Sequence, residues 1–543
     1  MNAKFVTPDP VNEPVRDYRP GSPERGSIKA ALETAQAQTV QVPLVIGGEA
    51  YHTDQQTDIH CPHDHSLILG TYSSADASHA AAAVDAALQA QYEWQRLPWQ
   101  QRIAIFLKAA DLAAGPWRDA LNTATMLGQG KTVYQAEIDS ACELIDFLRF
   151  NCRFAEQIYT EQPLSSPGVW NRLEYRSLDG FVFAVTPFNF TAIAGNLPTA
   201  PALMGNTVIW KPSGRSVLSA HVIMSLLIEA GLPAGVINFL PTNHSAPVGD
   251  ALCDDPNLAG IHFTGSTAVF QSIWKRVADN ISRYRSYPRL VGETGGKDFV
   301  FAHPSADPAA LVTGLIRGAF EYQGQKCSAA SRAYIPASLW DEITVDLKQQ
   351  LVDLAVGPPT NFRNFVGAVI DRRAFDDIRS YIEIAINEPG YEILAGGECD
   401  DTKGFFIRPT IVISEDSRSR LMTEEIFGPV LTLYRYDDDA VDSALDDLDG
   451  ASDYALTGAV FARDRVAIEH IADRLRHSAG NFYINDKPTG AVVGQQPFGG
   501  GRKSGTNDKA GSAMNLLRWC SARTIKESFV SPTRYDYPFM EQP

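Results

Sequence analysis

Phe181-Val182-Phe183-Ala184-Val185-Thr186-Pro187-Phe188-Asn189-Phe190 lies in a reach, residues 180–210, that carries no charged side chain. The reach is long enough to span a bilayer. Pro187, Pro198, Pro201, Gly195, Gly205 and three asparagines interrupt it, more breakers than a lipid-exposed helix carries. It reads instead as buried strand, turn and helix inside an α/β core. Downstream, 207–210 is a second apolar run. In residues 217–230 the apolar positions 217, 218, 222, 223, 226, 227 and 230 follow helical periodicity, ended by Gly231 and Pro233. Runs at 236–240 and 259–264 complete a strand–helix–strand alternation, which predicts a parallel sheet with crossover helices. Upstream, helices are expected over 27–39, 75–90, 101–114 and 132–152. After Glu293 the alternation restarts, with helices at 309–320, 339–356 and 375–387 and a strand at 333–335, so a second α/β lobe is expected.

The 543 residues exceed one hydrophobic core, and two or three domains are expected. A formal net charge of −17 argues against nucleic acid and anionic membrane surfaces as partners. Seven irregularly spaced cysteines without a CxxC pair suit a reducing cytoplasm and offer neither a disulfide framework nor a zinc site. Residues 1–27 lack an apolar secretory core, and their five prolines and four acids disfavour an Arg-rich transit peptide. The acidic run 437–449 has no cage-like spacing and reads as a solvated face; no metal is expected.

Three motifs carry chemistry. Gln323-Gly324-Gln325-Lys326-Cys327-Ser328 offers a thiol beside a lysine, with a glycine opening the segment. A thiol reacts as thiolate, so Cys327 needs a lowered pKa or a base, and Lys326 is expected to supply a cationic setting. Gly292-Glu293-Thr294-Gly295-Gly296-Lys297 offers a general base, with mobility expected from the paired glycines. Asn189 offers an amide N–H which, with the Cys327 backbone N–H, suits an oxyanion. Together they fit aldehyde oxidation through a thioester. Phe263-Thr264-Gly265-Ser266-Thr267 follows a strand and opens a helix, as a pyrophosphate site does. Lys211, in Trp210-Lys211-Pro212-Ser213, ends another strand and suits a ribose hydroxyl.

These motifs, with Glu424-Glu425-Ile426-Phe427-Gly428-Pro429, resemble the aldehyde dehydrogenase superfamily over nearly the whole chain. The resemblance implies an α/β fold of three parts. They are a Rossmann-like NAD domain (1–160 with an N-terminal arm 1–45, plus 179–290), a catalytic domain (291–509) and a bridging flap (161–178 plus 510–543). It implies NAD as cofactor, favoured over NADP, held by Lys211, Ser213, Gly265, Ser266, Glu425 and Phe427. Glu425 would hold the nicotinamide ribose and Phe427 would pack beside the nicotinamide. Flaps of this kind add strands to a neighbour's sheet, so at least a homodimer is expected.

Within the superfamily, residues 186–191, 324–328, 480–487, 494–500, 504–509 and 21–25 are similar to the Δ1-pyrroline-5-carboxylate dehydrogenases of the monofunctional kind. That branch oxidises L-glutamate γ-semialdehyde to glutamate in proline breakdown, and a proline dehydrogenase is a partner to consider. By this resemblance Ser328 and the backbone of Gly490 and Ala491 would anchor the substrate α-carboxylate. Phe190 and Phe498 would wall its methylene chain, and Glu137 would face the aldehyde pocket. Two departures stand out. Phe270 occupies a position where the superfamily often has glycine, and Ala491 replaces a frequent serine, which leaves its backbone as the contact. The residues themselves leave open another aldehyde, acyl transfer to coenzyme A, or a non-catalytic relative; a base for water counts against the thiol acceptor.

Overall fold

A computed structural model describes residues 5–542. Two seven-stranded sheets organise it. The first holds β1 (Leu44–Ile46), β2 (Glu49–Tyr51), β3 (Phe181–Val185), β4 (Thr207–Lys211), β5 (Ile237–Phe239), β6 (Leu258–Thr264) and β7 (Arg289–Glu293). Their spatial order is β7-β6-β3-β4-β5-β1-β2. The pairs from β7 to β5 are parallel, and the β1–β2 hairpin joins antiparallel at the edge. Every residue of β3, β5 and β6 is buried, which explains their unbroken apolar runs.

The second sheet holds β8 (Asp298–Ala302), β9 (Ala330–Pro336), β10 (Tyr391–Ala395), β11 (Thr410–Ser414), β12 (Val430–Tyr436), β13 (Thr457–Phe461) and β14 (Asn481–Ile484). Its order is β10-β11-β12-β9-β8-β13-β14, parallel except for the β10 edge. Thus the first sheet runs to Glu293 and the second begins at Asp298. The expected boundary at 290/291 cuts through β7, whose charged ends hid its length.

Helices cover both sheets, among them α1 (Arg118–Gln129), α2 (Glu143–Thr160), α3 (Thr191–Leu203), α4 (Val217–Ala230) and α5 (Thr267–Asp279). The helix expected over 132–152 is interrupted. Val133–Ala136 is α-helical, Glu137–Cys142 is a π-helix, and α2 follows. The strand Val169–Arg176 pairs antiparallel with Ser521–Ser528 to form a projecting ribbon. Residues 513–519 do not belong with it. Ala513–Leu517 is a short helix, and Leu516 and Trp519 are fully buried in the core around the first sheet.

Candidate active site

The chain order of the first sheet reverses between β3 and β6, and such a reversal leaves a crevice beyond the carboxyl ends of the strands. Four motifs meet that edge. Asn189 follows β3, Lys211 is the last residue of β4, Gly265 and Ser266 follow β6, and Glu293 is the last residue of β7. The second sheet faces them with the starts of β8 and β9, and Cys327 stands just before β9. A narrow cavity of about 80 Å³ lies between, lined by Cys327, Glu293, Phe190, Phe498, Ser328, Gly490 and Ala491.

The loop carrying Cys327 is set by an unusual turn. Tyr322 and Gln323 both take left-handed backbone angles (φ 52° and 55°), and Gly324 follows at 64°. For residues with side chains such angles are strained. The Gln323 amide holds them in place. Its Nε2 donates to the carbonyls of Gly130 (3.1 Å) and Ala368 (2.8 Å), and its Oε1 accepts from the Gly367 N–H at 2.9 Å. The Asn189 Nδ2 donates to the Gln325 carbonyl at 3.0 Å, which fixes the amide beside the nucleophile.

Burial pushes the Cys327 thiol well above its usual range, and the charges of Asp298, Glu425 and Glu293 add to this. The expectation that Lys326 provides a cationic, open setting fails. Its ammonium is buried and turned to carboxylates, 3.6 Å from Asp139 and 3.7 Å from Glu321. The thiol is therefore held neutral and gives up its proton, to water, only as it attacks.

Burial also holds the Glu293 carboxyl well above the ordinary carboxylate range. Its Oε2 accepts from the Gly500 N–H at 3.1 Å. The flanking backbone is locked, with Thr294 N–H on the Ser504 carbonyl (2.8 Å) and Thr506 N–H on the Gly292 carbonyl (2.9 Å). The paired glycines serve close approach rather than mobility. A Cβ at Gly295 would lie 2.3 Å from the Glu425 carboxylate, and one at Gly296 would lie 2.2 Å from the Cys327 carbonyl.

On the cofactor side, Lys211 Nζ reaches Ser245 Oγ at 3.2 Å and the Pro212 carbonyl at 3.4 Å, and burial lowers its pKa to about 8. Among the described residues it forms no ion pair. Ser213 accepts from the Arg215 N–H at 3.3 Å, and Ser266 caps α5 by accepting from the Val269 N–H at 3.4 Å. The Glu425 Oε1 accepts from the Gly296 N–H at 3.0 Å, and burial raises its carboxyl to about 7. The Phe427 ring meets Phe188 edge-on at 5.8 Å. Phe270 is accommodated by stacking on Phe263 at 5.2 Å, with its ring tip over Gly292. A lysine without an acid, a carboxylate with one backbone bond, and a 13-residue helix opening at a glycine match the hydroxyls and pyrophosphate of a dinucleotide.

On the cavity wall Ser328 Oγ and Thr489 Oγ1 lie 2.8 Å apart, with Gly490 and Ala491 following Thr489 in the lining. Glu137 does not join them, nor is it a surface carboxylate. It is fully buried away from the cavity, ion-paired with Arg118. It also accepts from the Arg16 N–H (2.9 Å), the Tyr18 hydroxyl (2.8 Å) and the Asn122 Nδ2 (2.8 Å). Besides Glu293, the acids on the cavity wall are Asp139, Glu143 and Asp508, to which the sequence reading gave no role. Asp139 takes the Lys131 ammonium at 2.8 Å. Among the described residues Glu143 has no such partner; burial and then the charge of Asp139 hold its carboxyl well above the ordinary range. Removing Arg118 would strand Glu137 as a buried, uncompensated charge. Arg118→Ala is expected to cost about 3–5 kcal/mol of stability, read as a lower urea midpoint.

The Aldehyde dehydrogenase family profile matches residues 50–525. The mitochondrial delta-1-pyrroline-5-carboxylate dehydrogenase of Dictyostelium discoideum is 52% identical, with 100% of this chain and 97% of that protein covered. The crystal structure of the Delta-pyrroline-5-carboxylate dehydrogenase from Mycobacterium tuberculosis bound with NAD superposes with a TM-score of 0.96 at 55% identity, covering 100% of both chains. Proline utilization A (PutA) from Bdellovibrio bacteriovorus superposes with a TM-score of 0.90 at 32% identity, covering 98% of this chain and 55% of that one. Sequence profile, full-length relatives and the strand-end site agree: the chain belongs to the aldehyde dehydrogenase family.

Proposed function

We infer that the chain oxidises L-glutamate γ-semialdehyde, the open form of Δ1-pyrroline-5-carboxylate, to L-glutamate in proline catabolism, with NAD as the oxidant. The observation that carries this reading is the cavity itself. One lining brings together a thiol and a carboxyl (Cys327, Glu293), hydroxyls and glycine backbone (Ser328, Thr489, Gly490), and two aromatic rings (Phe190, Phe498). That is the outline of a short chain with an aldehyde at one end and a carboxylate at the other.

In this reading Cys327 Sγ adds to the aldehyde carbon as its proton passes to water. The oxygen that gains charge faces the Asn189 side-chain N–H and the Cys327 backbone N–H, and one such donor is worth roughly 10²–10³ in rate. Lys211 and Glu425 hold the two ribose units of NAD, the start of α5 receives its pyrophosphate, and Phe427 packs beside the nicotinamide. NAD, when bound, accepts the hydride from the aldehyde carbon. Cys327 is left as a thioester, and Glu293 takes a proton from the water that hydrolyses it. Ser328 and the N–H groups of Gly490 and Ala491 hold the α-carboxylate, while Phe190 and Phe498 exclude water from the methylenes. Glu143, its carboxyl pushed up by burial, adds a polar contact on the wall.

The test is NADH formation from glutamate semialdehyde against an aliphatic aldehyde of similar length, with NAD and NADP compared. A kcat/KM at least about tenfold higher for the semialdehyde with NAD is expected; a preference for the aliphatic aldehyde would overturn the assignment. Ser328→Ala is expected to raise KM for the semialdehyde about tenfold and leave the aliphatic aldehyde unchanged, since only one of them carries the carboxylate.

The reading extends to a cytoplasmic homodimer built through the projecting ribbon, supplied by a proline dehydrogenase partner. Among the described residues no helix is long and apolar enough to cross a membrane. Cell fractionation, light scattering and co-purification test these three points in turn.

A further inference from the structure

The segment after the expected carboxylate anchor is tied to the N-terminal arm by one side chain. Asn12 uses its whole amide. Its Nδ2 donates to the Val493 carbonyl and to Asp146 Oδ2, each at 2.8 Å, and its Oδ1 accepts from Gln495 Nε2 at 2.9 Å. The Glu13 N–H donates to the other Asp146 oxygen at 2.7 Å. Asp146 lies on α2 one turn beyond Glu143, which lines the cavity. One turn further, Phe150 presses on Gly494, where φ is +82° and a Cβ would come within 2.2 Å of the ring. Inside the loop, the Gln495 and Gln496 N–H groups both donate to the Val492 carbonyl at 3.0 Å, and the Val492 N–H donates to Gln496 Oε1 at 2.9 Å.

The loop 489–496 therefore has a compact interior and buries Val493 in the core, but among the described residues few hydrogen bonds tie it to the rest of the fold. Thr489 holds its start through Ser328, and Asn12 holds its far side to the helix that also carries Glu143. The backbone N–H groups of 490 and 491 lie between these two ties. A backbone donor recognises a carboxylate only while its direction is fixed, so the second tie bears on recognition although Asn12 itself does not line the cavity.

We propose that Asn12 is a positioning residue for substrate selection: by fastening Val493 and Gln495 to Asp146, the N-terminal arm fixes the loop that receives the substrate carboxylate. The proposal rests on the substrate reading above. It touches neither Cys327 nor the dinucleotide side, so its effect is confined to one end of the substrate.

The experiment compares the wild type with Asn12→Ala and Gln495→Ala. Gln495 is exposed and its replacement leaves the arm's bond to Asp146 in place, so that variant tests the idea even if the first is too unstable to purify. Asn12→Ala is expected to raise KM for glutamate semialdehyde about tenfold, with kcat, KM for NAD and KM for an aliphatic aldehyde unchanged. Gln495→Ala is expected to shift the same constant in the same direction by a smaller factor. A proportional loss on both aldehydes, or unchanged selectivity in both variants, would overturn the proposal. A wild type that does not favour the semialdehyde would instead sink the substrate reading, and the positioning role with it, before any substitution is compared.

Discussion

Cys327→Ala is expected to lower NADH formation by at least about 10⁴-fold while NAD still binds, measured by steady-state turnover and by dinucleotide fluorescence titration. The size follows from what the residue contributes. No other described thiol, hydroxyl or amine lining the cavity is placed between the two sheets as this sulfur is, and loss of the covalent route leaves hydride transfer from an unactivated aldehyde. Serine would be no substitute, because a hydroxyl in the same buried setting is still harder to ionise. Folding should be little disturbed. The side chain is small, and the loop is fixed by Gln323 and Asn189 rather than by the sulfur. Full activity in the alanine variant would remove the thioester from the mechanism.

Glu293→Gln is expected to slow turnover by roughly 10²–10⁴-fold and to convert the time course into a stoichiometric burst of NADH followed by a slow phase. Acylation proceeds without the base, and hydrolysis does not. A linear time course without a burst would place the base before hydride transfer. The pH dependence has a definite sign. Burial raises the carboxyl, so its basic form appears only as pH rises, and wild-type kcat is expected to climb with pH through that range. The glutamine variant should lack this limb. The same shift acts on stability in the opposite sense. The fold prefers the neutral acid, so the contribution is present below the ordinary carboxylate pKa and is lost as pH rises toward the folded value. Glu293 thus costs stability in the range where it works, and the glutamine variant should gain resistance to urea at alkaline pH.

Much of the site was legible because it lies where strands end. Strand ends are punctuated by glycine and proline, and buried parallel strands are plain apolar runs, so Asn189, Lys211 and Gly265 could be placed after strands of one sheet; Glu293 was assigned to the second lobe, and β7 brings it to the same edge. The order of the motifs did the rest. What failed depended on direction rather than position. Glu137 and Glu143 belong to one helical stretch, six residues apart, a spacing that turns two side chains to different faces of an α-helix. The π-helix between them shifts that phase again, and no composition cue marks it. Lys326 was read as a partner for its neighbour in the chain, but Asp139 and Glu321, brought in by folding, claim its charge. The strap through Asn12 was illegible because an arm without periodicity announces no partner. The hairpin Gln56–Cys61 with Asp64–Ser73 was missed because polar residues fill its exposed positions, and helix α1 because it buries Asn122, Thr123, Thr125 and Gln129, so that its burial is not marked by apolar residues.

The turn at Tyr322 and Gln323 has a consequence for how the enzyme comes of age. Left to itself, that stretch would relax into ordinary angles. What restrains it comes from position 130, synthesised long before, and from positions 367 and 368, synthesised after. The sulfur is therefore not aimed when the ribosome has just made it. It acquires its place only when both lobes have closed on each other, so a half-made chain carries no armed electrophile trap to be spent on the aldehydes around it.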